Sequence, residues 1–325
     1  MKPVVRIISV IAVSLVFCQM IFIPINKGNL KFHSDLNMRL HEVLESHTDY
    51  DLLFLGASKV YRNINPGIID SICHVSSYDA GYDGGKLHEL EMYMEAYLQN
   101  HPPPKVIVLN LDWFSFTTTQ CYWNYPQFYP FLDNRSLYGK LRSNIGLKMD
   151  LMKFLPFLRI TALDDYTKIN GVKWARGTAT DLDKGDIEYK GYLSNTDLSL
   201  NPNAINVGID YGPEEITDIS IRCLNQIIDT CKKNHTKLIV IFPPEYDFKI
   251  HRQVTNADSI SGVILKTVKD NKLDYFRFDS LSFCRNPAIF KNCGHLNKRG
   301  SVIYSTILAE ELRTSIQDAI KGDSR

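Results

Sequence analysis

The chain of 325 residues is long enough for one large domain or two small ones, and its 44% hydrophobic composition is ample for a buried core. Its 37 Lys and Arg against 36 Asp and Glu leave a formal net charge of +1. No basic run stands out, which argues against a nucleic-acid partner.

The N-terminus differs in kind from the rest. Ile7 to Ile25 reads IISVIAVSLVFCQMIFIPI, apolar apart from Ser9, Ser14 and Gln19, with Lys2 and Arg6 ahead of it. Such a run is long enough to cross a bilayer as a helix. The basic flank favours an inside N-terminus and an outside bulk. A cleaved signal peptide and a buried core helix are the alternatives. The following IPINKGN offers no small-residue cleavage site, and the bulky Phe17 before Cys18 argues against lipidation. The organisation expected is a membrane anchor over residues 1–26, a polar stalk over 27–49 with a helical stretch at Leu36–Glu45, and a domain over 50–325. The protein is therefore expected to be single-pass, with that domain extracytoplasmic, either periplasmic or extracellular.

Beyond the stalk, strand-like runs alternate with helical patterns. The predicted strands are Asp51–Leu55, a weaker Val75–Ala80, Lys105–Leu111, Lys237–Phe242 and Tyr275–Asp279. Asn65-Pro66 reads as an N-cap with proline at the first helical position. Further helices are predicted over Leu87–Leu98, Pro213–Asn234, Ser259–Val268 and Arg299–Ile320. Continuous apolar strands separated by helices predict a parallel sheet covered on both faces, an α/β fold. Such sheets take ligands beyond the C-terminal ends of their strands, where Ser58, Gly81, Asn110, Asp112 and Pro243–Glu245 all fall. Residues 112–211 interrupt the rhythm as an insertion, first aromatic (DWFSF, CYWNYPQFYPF), then with helical pieces at Leu137–Arg142 and Leu147–Leu158. Trp113, Phe114, Trp123 and Phe128 either form a satellite core or a surface that stacks on carbohydrate.

The string DLLFLGASKVYRNINP (Asp51–Pro66) carries a strand through a Gly-x-Ser turn into a helix start. That places Ser58 above the sheet, beside backbone N–H groups able to hold a developing oxyanion. The bland reading of the same string is a tight turn with a helix cap. A nucleotide P-loop is disfavoured because no Gly-Lys-Ser/Thr follows. Serine needs a base, and NCGHLNKRG (Asn292–Gly300) offers His295 on a loop just before the last helix. His88, His235 and His251 lie in or beside helices, in surroundings that read as solvent-facing. Cys284 and Cys293 bracket the same loop as a disulfide, as free thiols or, with His295, as part of a metal site that lacks a clear fourth ligand. Neither a cofactor nor a metal is called for.

These strings together resemble the SGNH (GDSL-like) hydrolase superfamily, and more narrowly its membrane-anchored branch of cell-envelope O-acyltransferase accessory proteins and the D-alanyl-lipoteichoic acid transfer protein. DLLFLGASKVYRNINP matches the nucleophile block, YDAGYDGG the glycine block, KVIVLNLDWFSF the third strand and NCGHLNKRG the histidine block. The likeness spans roughly Tyr50 to Leu312 with the insertion unmatched. It implies a flavodoxin-like three-layer sandwich around a five-stranded parallel sheet, with Ser58 as nucleophile and His295 as base. The oxyanion donors it implies are the N–H of Ser58 and that of Gly81 or Gly84. Asn110 lies near the place of the family's side-chain donor, though in a different local string. One departure stands out: the family has Asp three residues before the histidine, and here that residue is Asn292. A working Ser–His dyad, an acid supplied from elsewhere such as Asp279, and an inactive relative all follow from that change. The function implied is an ester hydrolase or O-acyl(acetyl)transferase acting on envelope polysaccharide or a small acyl ester, with a membrane acyl-transfer protein as a candidate partner. The alternative is a non-catalytic glycan-binding or envelope-assembly protein.

Overall fold

In a computed structural model of the chain, residues 2–31, 35–117, 122, 124–162, 165–179, 189–202 and 212–322 are described. Cys121 and Trp123 of the aromatic stretch lie outside them. The chain divides into two compact units: Met1–Glu45 with Asn124–Asp186, and Ser46–Trp123 with Ile187–Arg325.

The second unit holds a sheet of five parallel strands: β1 (Leu52–Gly56), β2 (Ser77–Gly81), β3 (Val106–Asn110), β4 (Lys237–Phe242) and β5 (Asp274–Arg277), in the order β2-β1-β3-β4-β5. Five all-parallel strands in this order fit a flavodoxin-like layout. The central strands LLFLG, VIVLN and KLIVIF are nearly all buried. Strand geometry sends alternate residues to opposite faces. Leu52, Phe54, Val106, Val108, Ile239 and Ile241 share one cluster with residues of the helices on that face.

The helices, in chain order, are α1 (Lys2–Lys31), α2 (Asp35–Leu44), α3 (Ser58–Asn63), α4 (Pro66–Cys73), α5 (Leu87–Leu98), α6 (Arg135–Ile145), α7 (Leu147–Phe154), α8 (Asp165–Arg176), α9 (Asp218–Lys233), α10 (Lys249–Gln253), α11 (Ala257–Asn271) and α12 (Lys298–Gly322). Helices α3, α4 and α12 pack together on one face of the sheet, and α5 and α9 on the other. That gives three layers, with a core on each side. The predicted cap is present: Asn65 accepts from the Gly67 N–H at 2.9 Å and Pro66 opens α4. The helix predicted from Pro213 starts instead at Asp218, because the Thr217 hydroxyl accepts from Ser220 N–H and stops the helix there.

The first unit is helical. Within α1, Pro3–Gly28 is long and apolar enough to cross a membrane. The stalk contains α2, and the middle of the insertion forms α6, α7, α8 and 3₁₀ turns at Tyr125–Phe131 and Pro156–Ala162. Phe128 is fully buried in it, as core.

Candidate active site

In a sheet of this order the crevice opens where the chain reverses direction, between the C-terminal ends of β1 and β3. Ser58 leaves β1 there, and Asp112 follows β3. Gly56 is required at the exit of β1, since a Cβ on it would lie 2.6 Å from Val60 Cγ2 and 2.8 Å from the Asn110 Cβ. The missing side chain lets α3 turn back over the strand. Ser58 and Lys59 then lead α3, while the Val60 N–H bonds the Ala57 carbonyl. The first N–H groups of a helix have no carbonyl behind them.

Ser58 Oγ lies 2.9 Å from His295 Nε2 across 237 residues of sequence. The other ring nitrogen, Nδ1, is 3.1 Å from Asn292 Oδ1. The amide's orientation follows from its surroundings. Asn292 Oδ1 also accepts the backbone N–H groups of Gly294 (3.0 Å) and His295 (2.9 Å). Two fixed donors require the amide oxygen on that side. His295 Nδ1–H therefore donates to Asn292, and Nε2 keeps the lone pair that faces the Ser58 hydroxyl. An Asp-to-Asn change in a serine protease costs about 10⁴ in rate, largely through the wrong tautomer. Here the loop by itself imposes the tautomer that leaves Nε2 free to accept.

The histidine loop is held by amides. Leu296 N–H donates to Asn63 Oδ1 at 3.0 Å, tying the loop to the end of α3, and Asn195 Nδ2 donates to the Leu296 carbonyl at 2.6 Å. Asn297 bonds the Ala288 carbonyl through Nδ2 and the Gly300 N–H through Oδ1.

Ser58 and His295 face a cleft of about 700 Å³. Gly84 and Gly85 form part of its wall, with Lys86, Asp112 and Phe114 nearby. Lys59, only 6% exposed, follows Ser58 in the chain, with its Nζ 3.3 Å from Asp112 Oδ2. The burial of His295 pushes its pKa down to about 4, helped by Lys59 and Arg62 and opposed by Asp112 and Asp83. His295 is thus neutral at physiological pH, a weak base poised against a hydroxyl. Burial raises the Asp112 carboxyl, but Lys59, Lys86 and the Phe114 N–H outweigh it and hold the group below the usual carboxylate range.

The structure brings Ser58, His295, Asn292 and Gly84 to this cleft, and leaves other candidates away from it. Gly81 N–H is engaged by Asp79 Oδ1 at 3.2 Å, and Gly81 is not among the lining residues, so it is a poor oxyanion donor. Asn110 is buried at the end of β3, also off the lining. Asp279 is not the missing acid: Arg277 holds both of its oxygens, at 3.1 and 2.5 Å. Cys284 and Cys293 are free thiols rather than a disulfide, and the buried Cys284 donates to the Phe278 carbonyl. Among the described residues no group of His, Cys, Asp and Glu is arranged to hold a metal. His88 is buried rather than solvent-facing. It stacks on Tyr122, and burial, with Lys86, lowers its pKa to about 4. Trp113 belongs to the core, donating to the buried Glu245 at 2.8 Å, whereas Phe114 lines the cleft.

Sequence reasoning missed Lys59 and Asn63. The signal for Lys59 was its place next to Ser58; nothing local marked Asn63. No protein-family model matches the chain, and no curated protein sequence matches it.

Proposed function

We propose that the protein is an SGNH-type serine acyl-transfer enzyme, an ester hydrolase or O-acyltransferase acting on cell-envelope glycan, held at the membrane by α1 with its sheet unit extracytoplasmic. The observation that carries this reading is the 2.9 Å contact between Ser58 Oγ and a neutral His295 whose tautomer Asn292 sets. Ser58 Oγ attacks the ester carbonyl as its proton passes to His295 Nε2. The N–H groups leading α3, with that of Gly84 in the lining of the same cleft, receive the developing oxyanion. His295 returns the proton to the departing alkoxide, leaving an acyl group on Ser58. Water or a sugar hydroxyl then attacks that acyl group and gives its proton to His295, which passes it back to Ser58. Water yields an esterase and a sugar hydroxyl a transferase.

The low basicity of His295 favours a second reading, a glycan-binding protein that keeps the site without turnover. A fluorophosphonate probe separates the two. The full-length protein in detergent is expected to lose fluoride from the probe and gain one phosphonyl group on Ser58, while Ser58→Ala gains none and hydrolyses an acetyl ester at least about 10³-fold more slowly. An unlabelled wild-type chain with no esterase activity supports the binding reading instead.

A further inference from the structure

α1 does not stand alone along its apolar length. Gln19 Oε1 accepts the backbone N–H of Phe157 at 3.2 Å, which fixes the 3₁₀ turn Pro156–Ala162 against the middle of the helix. Lower down, α8 packs on α1 so closely that a Cβ on Gly28 would lie 1.9 Å from the Gly171 carbonyl oxygen. The apolar side chains of α1 are exposed from Val4 to Ile23, yet Phe22 is only 3% exposed. The insertion therefore packs on one side of the second half of a helix that reads as a membrane span, leaving Met20, Ile21 and Ile23 exposed.

Depth along α1 decides what this means. With Arg6 at the bilayer edge, Ile7 to Gln19 rises only about 18 Å at about 1.5 Å per residue, against roughly 30 Å of hydrocarbon. Even a span beginning at Pro3 reaches Gln19 after about 24 Å. A full crossing thus runs past Gln19, to about Asn26, and carries the turn bonded to Gln19 below the membrane surface. Helix α7, which ends two residues before that turn and packs on it, has the matching face. Leu147, Leu151 and Phe154 recur at helical spacing and are 72%, 51% and 71% exposed, while Met149 and Met152 point inward.

We propose that the Leu147–Ala162 segment docks into the lipid leaflet into which α1 emerges, with the Leu147, Leu151 and Phe154 face immersed beside the anchor. This rests on the reading of α1 as a membrane span. The anchor and the insertion then form one membrane-seated unit with a fixed rotation and depth, instead of a helix on a free tether. Basic residues on the same helix, such as Lys148, suit the headgroup level.

The test places p-benzoylphenylalanine in place of Phe154, Leu151, Ile21 or Leu265 in the full-length chain, reconstituted in vesicles of phosphatidylethanolamine and phosphatidylglycerol. Illumination followed by intact mass measurement reads the adduct. The expected result is the mass of one phospholipid added at positions 154 and 151, as at the anchor position 21, and none at 265. Lipid adducts at 21 but not at 154 or 151 overturn the docking and leave the anchor standing. Cross-linked dimers at 154 overturn it in favour of a second copy of the chain, and equal lipid adducts at 265 overturn it as non-specific. Absence of adduct at 21 removes the anchor and the docking together.

Discussion

Ser58 stands at the end of a strand whose five residues are all buried, whereas His295 rises from a loop held by the side-chain amides of Asn63, Asn195, Asn292 and Asn297. Hydrocarbon burial places Ser58; hydrogen bonds place His295. Burial is non-directional and spread over many atoms, so the apolar side chains of the strand tolerate small changes, Gly56 at its exit excepted. A side-chain hydrogen bond to the backbone is directional, and losing one can leave a buried group unpaired, as at the Leu296 N–H that Asn63 accepts. His295 is therefore the fragile half of the pair, and its few amides are where the pairing can be broken.

The sharpest break is at Asn292. Asn292→Ala removes the acceptor of Nδ1–H and of two backbone N–H groups, and is expected to lower kcat by about 10²-fold with KM little changed. Steady-state kinetics on an acetyl ester checks this, and an unchanged kcat would mean that Asn292 does not set the tautomer. Next in size is packing behind the loop. A Cβ on Gly300 would lie 2.0 Å from the Ile289 carbonyl oxygen. Gly300→Ala is expected to destabilise the protein by about 2–3 kcal/mol, measured by denaturant unfolding. Gly262→Ala in α11, where a Cβ meets nothing within 4 Å, is the control and should stabilise by about 0.5–1 kcal/mol.

Asn63→Ala leaves Leu296 N–H without its acceptor, at an expected cost of about 1–2 kcal/mol in stability. Fluorophosphonate labelling of Ser58 should slow with it, while a volume-conserving change on the hydrocarbon side such as Leu52→Met should leave the labelling rate nearly unchanged. The smallest effect is on pH. In the proposed reaction His295 accepts a proton, so activity should rise as pH passes through about 4 and stay level to neutrality. Asn292→Asp adds a charge beside Nδ1 and should move that acid limb upward; a limb that stays put would show that the residue does not face the ring. Stability follows the same sign. With His295 and His88 at about 4, below the 6.5 of an ordinary histidine, the folded chain binds fewer protons than the unfolded one between those values. Melting temperature should therefore fall as pH drops from 6.5 towards 4, and this contribution is fully lost below 4.

Much of the sheet was legible because strand identity is local. The apolar runs KVIVLNL and KLIVIF each became a strand within a residue of expectation at either end, and Leu87–Leu98 is a helix at the predicted bounds. Helix α8 went unread: Asp165–Arg176 mixes charged and apolar residues around all sides. At the start of α9 a cap explains the slipped boundary, the Thr217 hydroxyl accepting from Ser220 N–H. His88 slipped for a different reason, since its burial comes from contacts outside its own helix, such as the stack on Tyr122.

The sequence by itself determined the α/β alternation, the apolar N-terminal helix, the turn that exposes Ser58 and the loop that offers His295, because each depends on a few neighbouring residues. Tertiary structure alone decided the β2-β1-β3-β4-β5 order that opens the crevice beside Ser58. It alone decided that His295 meets Ser58 across 237 residues, that Arg277 claims Asp279 and that Lys59 pairs with Asp112. These are contacts between distant segments, and no local pattern specifies them. The amide of Asn292 stands between the two: its position three residues before the histidine was readable, but its orientation is set by the path of the folded loop.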